Sequence, residues 1–370
     1  MHGLTSLNTT PDPVLPDYAA GGVRALVPAL LTPGERPPWL GRASGPVVLL
    51  VVDGLGWEQF DSHRALMPTL AGFTGGPIVT VAPSTTAAAL TSITTGLTPG
   101  EHGLIGYRMM LGGDVVNTLR WTSSRGDARP AHPPTDIQPF TPFLGEDVVV
   151  CTRSGFDGSG FTVAHLRGTR QRGWSEPSNL AVRVAAAVRA GERFVYAYYD
   201  GVDHVAHEFG FGAFYDAEVR MADVVIQRLA EAVPPGTTIV VTADHGQVHV
   251  GERTLPLDPA VRPLVRVMSG EGRFRWLHAK PGAAQDLLAA AAAAYSPVAW
   301  VRSRQQIIDD GWFGPVVSPP VAARLGDVAL VAHEPVSFDD PAERTAVELI
   351  GRHGSLTSAE MLVPRLVLTT

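Results

Sequence analysis

The chain has 370 residues, 45% hydrophobic and 18% charged, which is enough to bury a large core and suggests a main domain with an inserted or appended lobe. Its net charge of −7 argues against a nucleic-acid groove that grips through phosphate neutralisation, while leaving room for a small phosphorylated substrate whose charge a metal offsets locally. A single cysteine, Cys151, excludes an internal disulfide framework and suits a reducing cytosol.

In chain order, the first forty-five residues read as an irregular, Pro- and Gly-rich lead-in with one short helix near Val23–Leu31. No basic, apolar-cored leader opens the chain, and the run Val47–Val52 is too short to cross a bilayer, so a cytoplasmic protein with no membrane contact is expected. Short apolar runs follow at Val47–Val52, Ile78–Val81, Val148–Cys151, Phe194–Tyr199 and Thr238–Val241. Being continuous rather than alternating, they predict strands buried on both faces. Helical periodicity over Leu180–Arg189 and Ala213–Val233 lies among them, so the core is predicted to be α/β with a mostly parallel sheet flanked by helices. After His249 the composition shifts. The alanine-rich helix Ala283–Tyr295, bracketed by Phe274–Leu277 and Val298–Val301, predicts a small inserted α/β lobe, a cap over a site. Val328–Ala332 and Met361–Leu368 are expected as returning strands. The predicted division is thus a core over 1–249, a cap lobe over 250–320, and a return to the core over 321–370.

Polar residues collect where the apolar runs end. "VVLLVVDGLG" closes on Asp53, and "TIVVTADHG" on Asp244 and His245. "IVTVAPSTT" ends in three hydroxyls, Ser84, Thr85 and Thr86, one of which is enough to cap a helix. "YYDGVDHVAHEFG" offers two frames at i and i+4, Asp203 with His207 and Asp200 with His204. In an open α/β sheet such strand ends face one crevice. Two adjacent polar groups after a buried strand are costly to desolvate without a cation, which makes Asp244-His245 the sharpest single signal. Mixed Asp and His donors suit zinc better than magnesium.

These residues resemble the alkaline phosphatase superfamily, and within it the nucleotide pyrophosphatase/phosphodiesterase branch. "TTAAALTSITTGLTPGEHG" is similar to that branch's nucleophile motif, and its spacing to Gly96 and His102 selects Thr86. "DHVAHEFG" is similar to a D-x-x-x-H-x-x-G motif, which selects Asp203 and His207. "ADHG" resembles the paired ligand motif, and "GRHG" supplies His353 within the last segment. The resemblance implies an alkaline phosphatase-like fold and two zinc ions, with manganese or another divalent ion as a substitute. One zinc would be held by Asp53, Thr86, Asp244 and His245, the other by Asp203, His207 and His353. It also implies a phosphodiesterase or nucleotide pyrophosphatase acting through a phosphothreonine at Thr86. Tyr107 stands where the diesterases carry an asparagine on the phosphate, and is expected to bind substrate through its phenol. Ser84 or Thr85 is expected to cap the helix, while His102, His204 and His249 are read as supporting or solvated. Phe211, Phe214, Arg120 and Trp121 are further candidates for the pocket wall. A phosphomonoesterase or phosphonate hydrolase on the same metal core is the alternative, and a non-catalytic metal-stabilised binding module a remote one. The sulfatase pattern fails because Gly155 stands where an arginine would follow Cys151.

Overall fold

The computed structural model describes residues 10–32, 34, 37–41, 44–343 and 348–370. The apolar runs fall in one seven-stranded sheet, the run expected over 78–81 being displaced to Thr74–Val79 and a short polar strand, Arg170–Gln171, joining unforeseen. Its strands are β1 (Val47–Val52), β2 (Thr74–Val79), β3 (Val149–Cys151), β4 (Arg170–Gln171), β5 (Phe194–Tyr199), β6 (Thr238–Thr242) and the C-terminal strand Leu362–Thr369. Their order is β2, the C-terminal strand, β6, β1, β5, β3, β4. β1 pairs in parallel with β5 and β6, as β3 does with β4 and β5. Only the C-terminal strand runs against its neighbours. Every residue of β1, β5 and β6 is buried, because helices cover both faces of the sheet's centre. The fold is α/β, its sheet mixed through that one strand.

Helix α1 (Thr86–Thr95) is buried along its whole length. Its small side chains allow close packing, and three threonines return their hydroxyls to the helix itself, Thr91 to the Ala87 carbonyl and Thr94 and Thr95 to that of Thr91. Gly96 ends it in the left-handed region, with its N–H on the Ser92 carbonyl. Helix α2 (Gly201–Phe209) follows β5 directly, and α3 (Ala213–Ala232) packs against it.

A second sheet holds β7 (Val265–Glu271), β8 (Phe274–Ala279), β9 (Ala299–Ser303) and β10 (Val328–Ala332) in the order β7, β8, β10, β9, all neighbours antiparallel. The alanine-rich helix α4 (Ala284–Tyr295) lies on one face of it. Val328–Ala332, expected to return to the main sheet, instead sits between β8 and β9, so the second sheet extends beyond the predicted boundary at 320. The alternation of side chains explains its place. Leu277, Val328, Leu330 and Ala332 face a small cluster with α4, while Phe274, Trp276, Ala329 and Val331 join the main core. The lobe therefore shares a core with the larger sheet. The fully buried ion pair Arg273–Glu360 locks the two together, its guanidinium also bonding the carbonyls of Ala332, Glu334 and Val336.

Candidate active site

Because β1, β5 and β6 are parallel, their carboxyl ends open at one edge, and the polar residues that follow them meet there. Asp53 ends β1 and turns through Gly54, whose φ of +73° fits the left-handed turn. A Cβ on Gly54 would stand 3.0 Å from Asp203, so glycine also permits the approach of α2. Asp244 and His245 follow β6, Thr86 opens α1, and Asp203 and His207 share one face of α2. His353 arrives on the loop before the C-terminal strand.

Two groups of donor atoms result, each within 4.8 Å: Asp53, Asp244 and His245, and Asp203, His245 and His353. His245 stands between them. His207 Nε2 joins the second group, 3.3 Å from Asp203 Oδ1 and 3.2 Å from His353 Nε2. Thr86 Oγ1 lies 3.2 Å from His245 Nε2. The three imidazoles are oriented alike. Nδ1 of His207 meets the Gly351 carbonyl at 2.6 Å, that of His245 the Gly246 carbonyl at 3.0 Å, and that of His353 the Ser84 carbonyl at 2.9 Å. A carbonyl only accepts, so each Nδ1 carries the proton. In their neutral form all three rings then turn unprotonated Nε2 lone pairs into one space.

That arrangement is unfavourable without a cation. Lone pairs of His207 and His353 oppose each other, and His245 Nε2 faces Asp53 Oδ1 at 3.3 Å and Asp244 Oδ2 at 3.4 Å. Those two carboxylate oxygens are buried and accept no hydrogen bond from any described residue. Burial, then the charges of Asp244 and Asp203, pushes the Asp53 carboxyl well above its usual range, and burial raises Asp244 too. Burial, then the neighbouring His245 and His207, drives His353 well below the usual imidazole range. A cation would favour the ionised form of those acids and bind the neutral lone pair of that imidazole, so the set matches the donors of a metal centre.

The competing frame on α2 is used otherwise. Asp200 forms a two-pronged pair with Arg153, both contacts at 2.8 Å, and the His204 side chain is 75% exposed beside Glu208. His102 is fully buried: its Nδ1 accepts the Leu104 N–H, and Nε2 meets Ser92 Oγ at 2.9 Å. It ties α1 to the following turn as a neutral ring, pushed by burial down to about 3. His249 accepts the Phe211 N–H away from the centre.

The expected cap is absent. Among the described residues no side chain caps α1; Ser84 Oγ instead donates to the Ser355 carbonyl and accepts the Gly354 N–H. With its carbonyl on His353, Ser84 holds the His353 loop against the start of α1, and the helix's first amides have no side-chain partner among the described residues. Three further residues escape sequence reasoning because they meet the site only through space. Gln247 Nε2 donates to Asp203 Oδ1 at 2.6 Å, and its carbonyl accepts from Gln59. The Tyr198 phenol donates to Asp53 Oδ2.

Two cavities adjoin Thr86. One, of about 240 Å³, runs between α1 and β5 and is walled by Leu90, Phe156, Phe161, Leu166, Tyr196 and Tyr198. The other, of about 560 Å³, carries Tyr107, Arg120, Glu271, Glu343, Arg352 and His353. Asn117 presents Oδ1 to the amides of Leu119 and Arg120, so its amide nitrogen is the group that bonds the Tyr107 phenol, leaving the phenolic proton available. Of the remaining wall candidates, Phe211, Phe214 and Trp121 line neither cavity. Phe214 is solvent-exposed, and Trp121 is buried with its indole N–H on the His132 carbonyl.

Residues 47–356 match the model of the type I phosphodiesterase/nucleotide pyrophosphatase family. The chain belongs to that family. Type I phosphodiesterases are metal-dependent phosphoester hydrolases, and the donor groups described above could hold a metal. Murine ectonucleotide pyrophosphatase/phosphodiesterase 5 shares the fold with a TM-score of 0.63 at 15% identity, covering 87% of each chain. An inactive threonine-to-alanine variant of that murine protein in complex with AMP superposes with the same score at 15% identity over 88% of each chain. Phosphonoacetate hydrolase from Sinorhizobium meliloti 1021 in complex with phosphonoformate gives 0.67 at 18% identity, covering 91% of this chain and 92% of that one. No curated protein matches this type I phosphodiesterase in sequence at a significant level.

Proposed function

We propose that the protein is a two-zinc phosphodiesterase that works through a phosphothreonine at Thr86. The observation that carries this reading is the convergence of three imidazole lone pairs and two unpartnered carboxylate oxygens beside one threonine hydroxyl. Asp53, Thr86, Asp244 and His245 would hold one ion, and Asp203, His207 and His353 the other. Zinc, when bound, supplies positive charge to the phosphoryl oxygens and makes a hydroxyl easier to deprotonate.

The residues of the chain do the rest. Thr86 Oγ1 attacks phosphorus in line, the bond to the ester's alcohol breaks, and water later cleaves the phosphothreonine from the opposite side. The uncapped amides at the start of α1 receive a phosphoryl oxygen, favoured by the helix dipole, and the Tyr107 phenol donates to another. The aromatic and aliphatic walls of the smaller cavity exclude water and accept an apolar organic group. An apolar wall of this kind suits the organic group of a diester, which is our reason for placing a diester ahead of a phosphonate. It supports the relation to the murine neighbour whose threonine variant is inactive in complex with AMP. A cytosolic location fits the one cysteine, which is buried with its thiol pushed up to about 12. Among the described residues no helix is long and apolar enough to cross a membrane.

The test combines metal analysis with a substrate panel: bis-p-nitrophenyl phosphate, p-nitrophenyl phosphate, a nucleotide p-nitrophenyl ester and a phosphonate. The purified protein should approach two metal equivalents per chain, lose turnover on chelation, regain it with zinc, and prefer a diester. Preference for the monoester or phosphonate would move the substrate class, and full activity without metal would remove the basis of the reading.

A further inference from the structure

Glu271 ends β7 at the tip of the second sheet and lines the larger cavity, as do Thr85, Thr86, Tyr107 and His353. The residue is only 6% exposed. Oε2 accepts the backbone N–H of Tyr107 at 2.8 Å, while Oε1 is buried with no hydrogen-bond partner among the described residues. Two glycines make room for it. A Cβ on Gly106 would stand 3.3 Å from Oε2, and one on Gly354 would stand 3.1 Å from Oε1 and 2.6 Å from Cγ. Both have positive φ, +153° and +121°, and each adjoins a residue of the site, Tyr107 and His353. A carboxyl clamped between those two loops, with one oxygen unsatisfied, is costly to keep unless a ligand completes it.

We propose that Glu271 is a substrate-contacting residue, its Oε1 donating a hydrogen bond to a phosphoryl or ester oxygen of the substrate bound at Thr86. This rests on the hydrolase reading above. A carboxylate facing an anionic phosphoryl group would repel it, so the donor is the neutral acid. With Oε2 already accepting from Tyr107, the proton sits on Oε1, the oxygen left free. Burial pushes this carboxyl up to about 8, opposed by the Tyr107 N–H and Arg275 and assisted by Glu343 and Glu360, so the neutral form is accessible at neutral pH. The second lobe thus lends a donor to a site otherwise built by the main sheet.

The experiment measures inorganic phosphate binding by calorimetry and steady-state hydrolysis of bis-p-nitrophenyl phosphate by the zinc-loaded protein. The variants are Glu271→Gln, which keeps an acceptor for Tyr107 and an N–H donor, and Glu271→Met, which removes both. The expected result is phosphate affinity within about 3-fold of wild type for Gln, and a loss of about 10-fold with a matching rise in KM for Met. Metal content and melting temperature report structural damage separately. A folded Met variant that binds phosphate like wild type overturns the assignment, as does a Gln variant that loses as much as Met. If the Met variant does not fold, Glu271→Asp decides: withdrawing the carboxyl by one methylene should cost a similar factor, and undiminished phosphate affinity overturns the role. A wild-type protein that neither hydrolyses an ester nor binds phosphate overturns the hydrolase reading and this proposal together, whereas active wild type with an unaffected Met variant overturns Glu271 alone.

Discussion

Single residues in the site owe their roles to the atom that is already occupied. His207, His245 and His353 each bind a backbone carbonyl through Nδ1, so Nε2 is the atom presented inward. The same logic separates the two frames on α2. Asp200 is held by Arg153 and His204 faces solvent, whereas Asp203 is oriented by Gln247 and touches His207. Asp203→Ala or His207→Ala should remove most of one metal equivalent and reduce turnover by several orders of magnitude. Asp200→Ala and His204→Ala should cost much less, at most the roughly 10–100-fold of a change one step from a ligand, since Asp200 is held by Arg153 and His204 faces solvent. Metal content and kcat measured across the four variants check this; a larger loss from the Asp200 and His204 pair would reverse the assignment.

Among elements, the joint between α1 and the His353 loop is where structure departs from simple capping. A buried helix of small residues needs its first amides free if they are to meet an anion, and Ser84 is engaged by Gly354 and Ser355 instead. Ser84→Ala leaves a buried N–H and a carbonyl short of a partner, which should cost about 1–3 kcal/mol of stability. It should also weaken binding at the metal position that includes His353, by about 10-fold or more. Thermal unfolding and zinc titration read the two effects; lost stability with unchanged zinc affinity would leave Ser84 a purely structural residue.

The central strands of the main sheet were legible because both of their faces are buried, which writes them as unbroken apolar runs such as Val47–Val52 and Phe194–Tyr199. The outer strands were not, since Thr74–Val79 is largely exposed and shares only Ile78 and Val79 with the expected run, and Arg170–Gln171 is short and polar. β7 was not, since "VRVMSGE" alternates and is defined by a partner strand. Val328–Ala332 was visible as a strand, but its sheet was not, because pairing between β8 and β9 is non-local. The site behaves likewise. Asp53, Thr86, Asp244 and His245 sit at the ends of readable runs, and motif spacing separates Asp203 and His207 from the rival frame. Gln247, Tyr198, Ser84 and Glu271 act only through distant contacts that no local pattern records.

At the scale of the whole molecule, two sheets share one core, and the candidate site lies where the carboxyl edge of the larger meets the hairpin tip of the smaller. Arg273–Glu360 fixes that meeting, and both Glu271 and His353 flank it in sequence. Such a rigid cleft suits in-line displacement, which needs the nucleophile, phosphorus and leaving oxygen held in one geometry. The central claim, that Thr86 takes the phosphoryl group before water does, is tested most directly by stereochemistry. Hydrolysis of a chiral phosphorothioate diester in isotopically labelled water by the zinc-loaded protein should proceed with retention at phosphorus, because two in-line steps each invert. Inversion would mean a single direct attack by water, with Thr86 no nucleophile, and would contradict the account.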